Sequence, residues 1–360
     1  MKTVMESIKL PAFSRPDRNM KTSLTATVTR GTTLALLLSL LALAACGSKH
    51  ASVYTPLEEL PFSDPVLRAC VLAEAKRHNW KTSGRMTELR CTNPEGATVA
   101  TLDGIENLVN LQVLDLAHNS ISDVRLIERL GRLSQLDLSY NRIKQVTLGR
   151  LRISLRSMNL DHNDINDISW LPPLRHIENL SISHNQLTDM APLAELTALR
   201  SLNLANNNIV STDALKALGQ LREVDLGENS IRDIAALGGD SRLIVLYLDG
   251  NEISDVSPLA QLSKVEELDL SDNLLTDASP LTRILSLHRL NLSHNQISDL
   301  QPFEDLGNIE LINVRGNPVS CDAIRKLVAG LGPDAVLADS CVSTDAAREG
   351  NLFSPAKKRR

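Results

Sequence analysis

The segment LNLSHNQISDL, over residues 290–300, places a hydroxyl, an imidazole and a carboxylate close together in the chain. Ser293, His294 and Asp299 have the side-chain types of a nucleophilic hydrolase, in which a base activates the nucleophile and a third group orients the base. Adjacent residues of a strand point to opposite faces of its sheet, however, so Ser293 and His294 are not expected to interact. The segment therefore does not predict a catalytic site.

The same sequence pattern recurs along the chain. Asparagine stands at ten positions, each 22 residues after the one before: Asn119, Asn141, Asn163, Asn185, Asn207, Asn229, Asn251, Asn273, Asn295 and Asn317. Nearly all of them lie in a segment of the form L-x-x-L-x-L-x-x-N-x-I. A catalytic centre normally occurs once, whereas a structural residue recurs wherever the same packing arrangement is repeated. Asn295 and Asp299 are therefore predicted to stabilise the fold.

This pattern resembles the leucine-rich repeats of bacterial internalins, and the resemblance covers roughly residues 99 to 318. It implies an α/β solenoid, an arc with a parallel sheet on its concave face, short helical or 3-10 turns on its convex face and a cap at each end. The alternation in L-x-L places both leucines on one face of a short strand. A single repeat has too little apolar surface to fold alone, so each coil is expected to be stabilised by its neighbours.

Polar residues at fixed steps of the repeat are predicted to satisfy backbone groups. The buried carboxamide of each repeat asparagine can pair with groups that the turn after the strand leaves free. A carboxylate that could cap the convex turns follows two residues after the Ile or Leu position: Asp123, Asp167, Asp189, Asp233, Asp255, Asp277 and Asp299. Proline suits the first turn of such segments and occurs there as Pro192, Pro258, Pro280 and Pro302.

Four histidines directly precede a repeat asparagine: His118, His162, His184 and His294. His162 and His184 fall on neighbouring coils and, with Asp161, could in principle hold a metal ion. Histidine is a common residue at this step of leucine-rich repeats, however. We therefore predict no metal ligand, no cofactor and no catalytic residue, and the chain is not expected to be an enzyme.

Function in such an arc is expected on the concave sheet, where residues of successive strands form columns. The central column, between the two strand leucines, is polar: Asp115, Asp137, Asn159, Ser181, Asn203, Asp225, Tyr247, Asp269, Asn291 and Asn313. Two residues earlier lie Val113, Gln135, Ser157, Asn179, Ser201, Glu223, Val245, Glu267, Arg289 and Leu311.

Carboxylates are concentrated in the sixth to eighth coils. The candidate partner-binding residues are Glu223, Asp225, Glu228, Val245, Tyr247, Asp249, Glu267, Asp269 and Asp272. They predict an acidic surface with one aromatic anchor, which would attract a basic protein partner. A solvated face kept soluble by its charge explains the same residues equally well.

The N-terminal region predicts export and a lipid anchor. Lys21 and Arg30 precede an apolar run over residues 34–45, which is too short to span a bilayer but suits a signal-peptide core. The run ends in LAAC, which resembles the lipobox of bacterial lipoproteins and so implies cleavage before Cys46 and its lipidation. Gly47 after the cysteine favours the outer membrane. The alternative is an ordinary cleaved signal with an incidental cysteine.

The four remaining cysteines are expected to form two disulfides, because an exported chain meets an oxidising compartment. Cys91 and Cys321 lie at opposite ends of ten stacked strands, about 45 to 50 Å apart at about 4.8 Å per strand. A disulfide cannot span that distance. The predicted bonds are therefore Cys70 to Cys91 and Cys321 to Cys341, and each would close a cap at one end of the solenoid.

Each cap is predicted to contain a helix. The front helix opens at Ser63–Pro65 with one apolar face: Val66, Leu67, Cys70 and Val71. The segment ELRC behind it mimics a repeat strand, with Cys91 pointing inward. The rear helix follows the last repeat and has another such face: Ile324, Leu327, Val328 and Leu331.

The expected order is an upstream extension at 1–19, a lipoprotein signal peptide at 20–45, a tether at 46–62, the N-terminal cap at 63–98, repeats at 99–318, the C-terminal cap at 319–342 and a disordered tail at 343–360.

The amino-acid composition and the net charge limit the classes of function that the chain can have. The 360 residues are 42% hydrophobic but only 2% aromatic, which favours an aliphatic solenoid over a globular enzyme, and a net charge of −5 does not predict nucleic-acid binding. The basic end at 357–360 is expected to be solvated.

We predict a monomeric, lipid-anchored scaffold of the bacterial cell envelope that binds a protein. The alternatives are a glycan-binding or passive structural lipoprotein and, more remotely, a metal-dependent enzyme.

Overall fold

The computed structural model describes residues 55–92, 96–148, 151, 153–239 and 242–339. Within these residues, twelve short strands form one parallel sheet in chain order. They are β1 Glu88–Arg90, β2 Val113–Asp115, β3 Gln135–Asp137, β4 Ser157–Asn159, β5 Asn179–Ser181, β6 Ser201–Asn203, β7 Glu223–Asp225, β8 Val245–Tyr247, β9 Glu267–Asp269, β10 Arg289–Asn291, β11 Leu311–Asn313 and β12 Val336–Leu337. The expected solenoid with a parallel sheet is confirmed.

The register of the sheet aligns equivalent residues of successive coils. Val113 pairs with Gln135 and Asp115 with Asp137, so partners in β2 and β3 are 22 residues apart. The middle residue of each strand points into the core, as at Leu114, and is fully buried there. This alternation places the two predicted columns side by side on the surface of the sheet.

The opposite side of each coil is a short 3-10 helix or a turn. The 3-10 helices span Leu57–Glu59, Ser83–Arg85, Ile105–Asn107, Arg125–Arg129, Ala191–Glu195, Asp213–Ala217, Ala235–Leu237, Ser257–Gln261, Ser279–Arg283 and Gln301–Phe303. All seven predicted capping aspartates accept a hydrogen bond from the N–H two residues further on. The four prolines lie in the first turn of their helices, as predicted.

The repeat asparagines join adjacent coils, and Asn251 is representative. Its Oδ1 accepts from the N–H of Ile231 at 2.9 Å, in the preceding coil. Its Nδ2 donates to the carbonyl of Leu226 in that coil, at 3.0 Å, and to that of Leu248 in its own coil, at 3.1 Å. The other nine asparagines make equivalent bonds. Their predicted structural role is therefore confirmed.

The N-terminal cap contains helix α1, Pro65–Arg77. Asp64 caps it by accepting from the N–H groups of Val66 and Leu67, at 2.8 and 3.0 Å. The predicted disulfide joins Cys70 to Cys91, with their Cα atoms 5.9 Å apart.

The cap begins earlier than the expected boundary at Ser63. Leu57 and Leu60 are buried in the core, and Pro56 bridges to Thr82. Residues 55–62 are therefore part of the cap and not of a membrane tether, because two leucines on this segment help to cover the open end of the solenoid.

The C-terminal cap contains helix α2, Cys321–Leu331, which buries Ile324 and Leu327 as predicted. Strand β12 follows it and pairs with β11, so the sheet continues one strand beyond the last repeat. The short sequence of β12 lacks the repeat pattern and was not predicted as a strand. Cys321 is disulfide-bonded.

Several predicted features lie outside the described residues. They are the extension at 1–19, the signal peptide at 20–45, Cys46 with the first part of the tether, Cys341 and the tail at 343–360. The pairing of Cys321 with Cys341 thus stays a prediction. No helix of the described part of the chain is long and apolar enough to cross a bilayer.

Candidate functional site

The residue before each repeat asparagine is a turning point of the backbone. It adopts a positive φ between 51° and 57° at all eight non-glycine positions of this step, with Gly250 and Gly316 at the other two. Side chains at this step stand at the edge of the concave sheet, one per coil. The eight are His118, Tyr140, His162, His184, Asn206, Glu228, Asp272 and His294.

The first four of these side chains form a continuous stack of rings. His118 lies on Tyr140 with ring centroids 4.1 Å apart, Tyr140 on His162 at 4.0 Å, and His162 on His184 at 3.9 Å. Their planes are within 18° of parallel. Burial and the charge of His184 lower the pKa of His162. The sequence shows the 22-residue spacing of these rings, but the stack itself was not predicted.

The stack argues against a metal ion shared by His162 and His184. Imidazole nitrogens bind metals in the plane of the ring, and two parallel rings 3.9 Å apart cannot both direct a lone pair at one ion. The carboxylate of Asp161 is already hydrogen-bonded within the protein. It accepts hydrogen bonds from the Ser181 hydroxyl and the Ser183 N–H, both at 2.6 Å.

The segment around Ser293 is likewise structural. The Ser293 hydroxyl is buried and donates to Asn291 Oδ1 at 2.8 Å. His294 lies over Gly316, where an added Cβ would be 2.7 Å from its Nδ1. Serine and histidine therefore do not form a nucleophile and base here.

The central column is less available for binding than its sequence suggests. Asp225 Oδ1 accepts from the N–H of Gly227 at 3.1 Å, and Asp269 Oδ1 from the N–H of Ser271 at 2.9 Å. Similar bonds close the strand end at most other positions of the column. Binding was expected on this face, and Asp225 and Asp269 were named as candidate residues, but one side-chain oxygen of most members of the column is used to hold the turn.

The predicted acidic residues do come together, on three adjacent coils. Asp225 pairs in register with Tyr247, and Tyr247 with Asp269; Glu223, Val245 and Glu267 lie beside them in the same order. Asp249 lies two residues beyond Tyr247, and Glu228 and Asp272 stand at the sheet edge. We call these seven carboxylates the acidic patch: Glu223, Asp225, Glu228, Asp249, Glu267, Asp269 and Asp272. Three of them, Glu223, Asp225 and Glu267, line a groove of about 520 Å³ that extends along β4 to β9.

Tyr247 is not the exposed anchor that the sequence predicts. Only 8% of it is accessible, and its hydroxyl donates to Glu267 Oε1 at 2.8 Å. Burial, this hydrogen bond and the nearby carboxylates raise the pKa of the phenol. Tyr247 therefore supports Glu267 instead of offering its ring to a partner.

The acidic patch is only partly neutralised. Glu267 is 3.3 Å from the guanidinium of Arg289, and Glu223 accepts from Ser201. Within the described part of the chain, no Lys, Arg or His side chain forms an ion pair with the other five members: Asp225, Glu228, Asp249, Asp269 and Asp272.

Burial and mutual repulsion perturb the carboxyl groups of the patch. They raise the pKa of Asp249 to about 7, with burial first and the charges of Asp269, Asp225 and Glu228 adding to it. Burial also raises the pKa of Asp225 and of Asp269, although both accept hydrogen bonds that oppose the shift. The folded chain thus holds these groups together at an electrostatic cost.

Two glycines make room for this arrangement, and neither was predicted from the repeat pattern. A Cβ on Gly227 would lie 2.6 Å from Asp249 Oδ1, and one on Gly250 would lie 2.7 Å from the carboxylate of Glu228. The sequence does distinguish these positions, because every other coil has a larger residue at the step of Gly227, and at the step of Gly250 only Gly316 is also a glycine. Each departure from the repeat pattern accommodates a carboxylate of the adjacent coil.

Comparison with known proteins agrees with this architecture. Leucine-rich repeat family models match residues 109–149, 197–239, 241–283 and 285–300. The molecule is thus a leucine-rich repeat solenoid with a cap at each end, a fold commonly used to bind other proteins. Among curated proteins, none matches the chain.

The solved structures that resemble it include bacterial internalins. An internalin, InlF of Listeria monocytogenes, is 26% identical, with a TM-score of 0.64 over 81% of this chain and 94% of that one. A leucine-rich repeat protein of Leptospira interrogans is 27% identical, with a TM-score of 0.64 over 68% and 65%. The functional domain of InlJ from Listeria monocytogenes, 21% identical with a TM-score of 0.66 over 81% and 62%, shares the fold.

Proposed function

We propose that the chain is a lipid-anchored scaffold of the bacterial cell envelope that binds a basic protein segment through the acidic patch. The observation that carries the proposal is the gathering of seven carboxylates on three adjacent coils, five of which form no ion pair in the described part of the chain. Burial and their mutual repulsion also raise the pKa of Asp249 to about 7. A lysine or arginine from a partner would relieve the repulsion that the folded chain sustains, and so gain binding energy from it.

The arrangement of the charges in the acidic patch supports a peptide or protein segment as the ligand. The patch follows three consecutive coils along the sheet, so its charges form a strip that an extended basic segment could follow. Glycan stacking needs an accessible aromatic face, whereas Tyr247 is covered and Tyr140 is held between two histidine rings. These features favour a protein over a sugar.

The anchor and location rest on the sequence. The LAAC motif supports lipidation at Cys46, and Gly47 supports outer-membrane sorting. Two or more acyl chains hold a protein on a membrane far more firmly than one. A Cys46→Ser variant is expected to leave the membrane fraction. Its retention there after carbonate washing would contradict the anchor without affecting the binding proposal.

The binding proposal is tested by neutralising the patch without changing its shape. A triple variant, Glu228→Gln, Asp249→Asn and Asp272→Asn, is compared with wild type by crosslinking in intact cells. We expect it to lose crosslinks that wild type makes, and we expect those crosslinks to weaken as salt is raised, because exposed charges are screened.

A control variant removes the same charge elsewhere: Glu59→Gln, Asp103→Asn and Asp305→Asn, all exposed and away from the concave strands. It should keep the wild-type crosslinks. If the patch variant and the control variant yield the same crosslinked partners as wild type, the patch does not bind and a passive structural role is favoured.

A further inference from the structure

A second cluster of ionisable side chains lies in the N-terminal cap, far along the chain from the acidic patch. Glu74 is in the last turn of α1, and His78 follows directly after that helix. Glu88 is the first residue of β1, at the end of the concave sheet. The cluster therefore joins the cap helix to the first strand, beside the disulfide between Cys70 and Cys91.

The three side chains converge on one nitrogen atom. His78 Nε2 is 3.2 Å from Glu74 Oε1 and 3.3 Å from Glu88 Oε1. The three ligand atoms all lie within 4.8 Å of one another, and no other group of three such side chains in the described part of the chain meets this condition. A neutral imidazole has one proton to offer at Nε2, but two carboxylate oxygens face it.

Burial makes this shortage of donors costly. Glu74 is only 3% exposed, and its other oxygen, Oε2, is bound by Arg77 at 2.7 Å. Oε1 therefore depends on the proton that it shares with Glu88. Burying a carboxylate is unfavourable unless its oxygens are paired, and a cation between the three atoms would pair both carboxylates at once.

The spacing suits a transition metal. Bonds of about 2.0 to 2.1 Å to nitrogen and oxygen give a tetrahedral zinc site ligand separations of about 3.3 Å. The observed separations of 3.2 and 3.3 Å agree with this value. Imidazole among the ligands favours zinc and its neighbours over calcium or magnesium, which prefer oxygen ligands.

Surrounding residues hold the ligands in place. The His78 ring stacks on Trp80, with centroids 4.4 Å apart and planes 14° from parallel. Arg77 fixes Glu74 from behind, and Arg90 lies 3.7 Å from the second oxygen of Glu88. Such outer contacts orient metal ligands and leave the inner oxygens directed at the ion.

We propose that Glu74 Oε1, His78 Nε2 and Glu88 Oε1 bind one zinc ion, with a fourth coordination position open to water or to a ligand atom from a partner. The ion connects α1 to β1 and so reinforces the cap that closes the solenoid.

The test is calorimetric titration of zinc chloride into the purified, chelator-treated chain with its disulfides intact. We expect one zinc ion per chain and a rise in melting temperature with zinc. His78→Gln and Glu88→Gln should each weaken binding at least tenfold, because loss of even an outer contact weakens metal sites by about ten- to a hundredfold. Glu88 is partly exposed, so Glu88→Gln is expected to fold. It therefore still tests the site if His78→Gln fails to fold.

His176→Gln is the matched control, because His176 is exposed and outside both histidine clusters. It should bind zinc as wild type does. Absence of saturable binding at micromolar zinc overturns the proposal, as does unchanged affinity in both the His78 and Glu88 variants. Loss of binding in His162→Gln alone would assign the ion to the ring stack and would likewise overturn it.

Discussion

Replacing Asp249 by asparagine tests whether the acidic patch carries an electrostatic cost in the folded chain. The raised pKa of Asp249, about 7 against an ordinary value of 3.8, means that the folded state holds its proton more tightly than the unfolded state does. The sign is opposite to that of a salt-bridged carboxylate. Stability from this group is present at low pH and is lost as the pH rises from about 4 to about 7.

The magnitude follows from the difference in bound protons. Between pH 5 and 7 the folded chain holds up to one more proton on Asp249, so the free energy of unfolding falls by at most about 1.4 kcal/mol per pH unit. Over that interval the loss is at most about 2.7 kcal/mol, and solvent screening of a partly exposed group reduces it to roughly 1 to 2 kcal/mol. Asp249→Asn cannot ionise and avoids this loss.

The assay is urea unfolding followed by far-ultraviolet circular dichroism at pH 5 and pH 8. Asp249→Asn should be more stable relative to wild type at pH 8 than at pH 5, by roughly 1 to 2 kcal/mol. Asp305→Asn, at an exposed site on the convex side, serves as the control and should change stability by less than about 0.5 kcal/mol at both values. An equal effect of Asp249→Asn at both pH values would refute the reasoning.

Three further perturbations test other parts of the structure. Asn251→Ala should lower the free energy of unfolding in urea by at least about 3 kcal/mol. The variant leaves several buried backbone groups unpaired, at a cost of about 1 to 3 kcal/mol each. A loss under about 1 kcal/mol would contradict the structural role of the asparagines. Replacing both Cys70 and Cys91 by serine should cost about 3 kcal/mol, as expected for a 21-residue loop, and no change in the urea midpoint would show that the bond adds nothing to the cap. The pKa of His162, measured by NMR, should lie below the ordinary histidine value. His184→Phe removes the neighbouring charge but keeps a ring in the stack, so it should raise the pKa of His162. An unchanged pKa of His162 in this variant would exclude electrostatic coupling within the ring stack.

The repeat pattern was sufficient to predict the strands, the columns and the capping aspartates. Each of these depends on the spacing of residues within one coil or between equivalent positions, and that spacing is explicit in the sequence. The cap helices followed from apolar spacing, and the bond between Cys70 and Cys91 followed from the length of the solenoid. The membership of the acidic patch was predictable for the same reason.

What the sequence did not predict depends on how side chains occupy space between coils. Tyr247 was expected to be an anchor, but its side chain is buried and its hydroxyl donates to Glu267 of the adjacent strand, a contact that the repeat spacing does not describe. The stack from His118 to His184 depends on a positive φ that turns each ring towards the next. The cluster of Glu74, His78 and Glu88 joins strand β1 to helix α1. An irregular segment separates these two elements, so no fixed spacing in the sequence relates Glu88 to the other two residues.

The side chain of each repeat asparagine bonds only to its own coil and to the one before it, which has a consequence for how the array can change. Duplication or deletion of a whole 22-residue unit leaves every remaining asparagine with equivalent partners, so the concave surface can lengthen or shorten while the two caps stay the same. A single inserted residue within a strand would instead shift the register there. The molecule therefore tolerates variation in the number of its coils far better than variation within one of them.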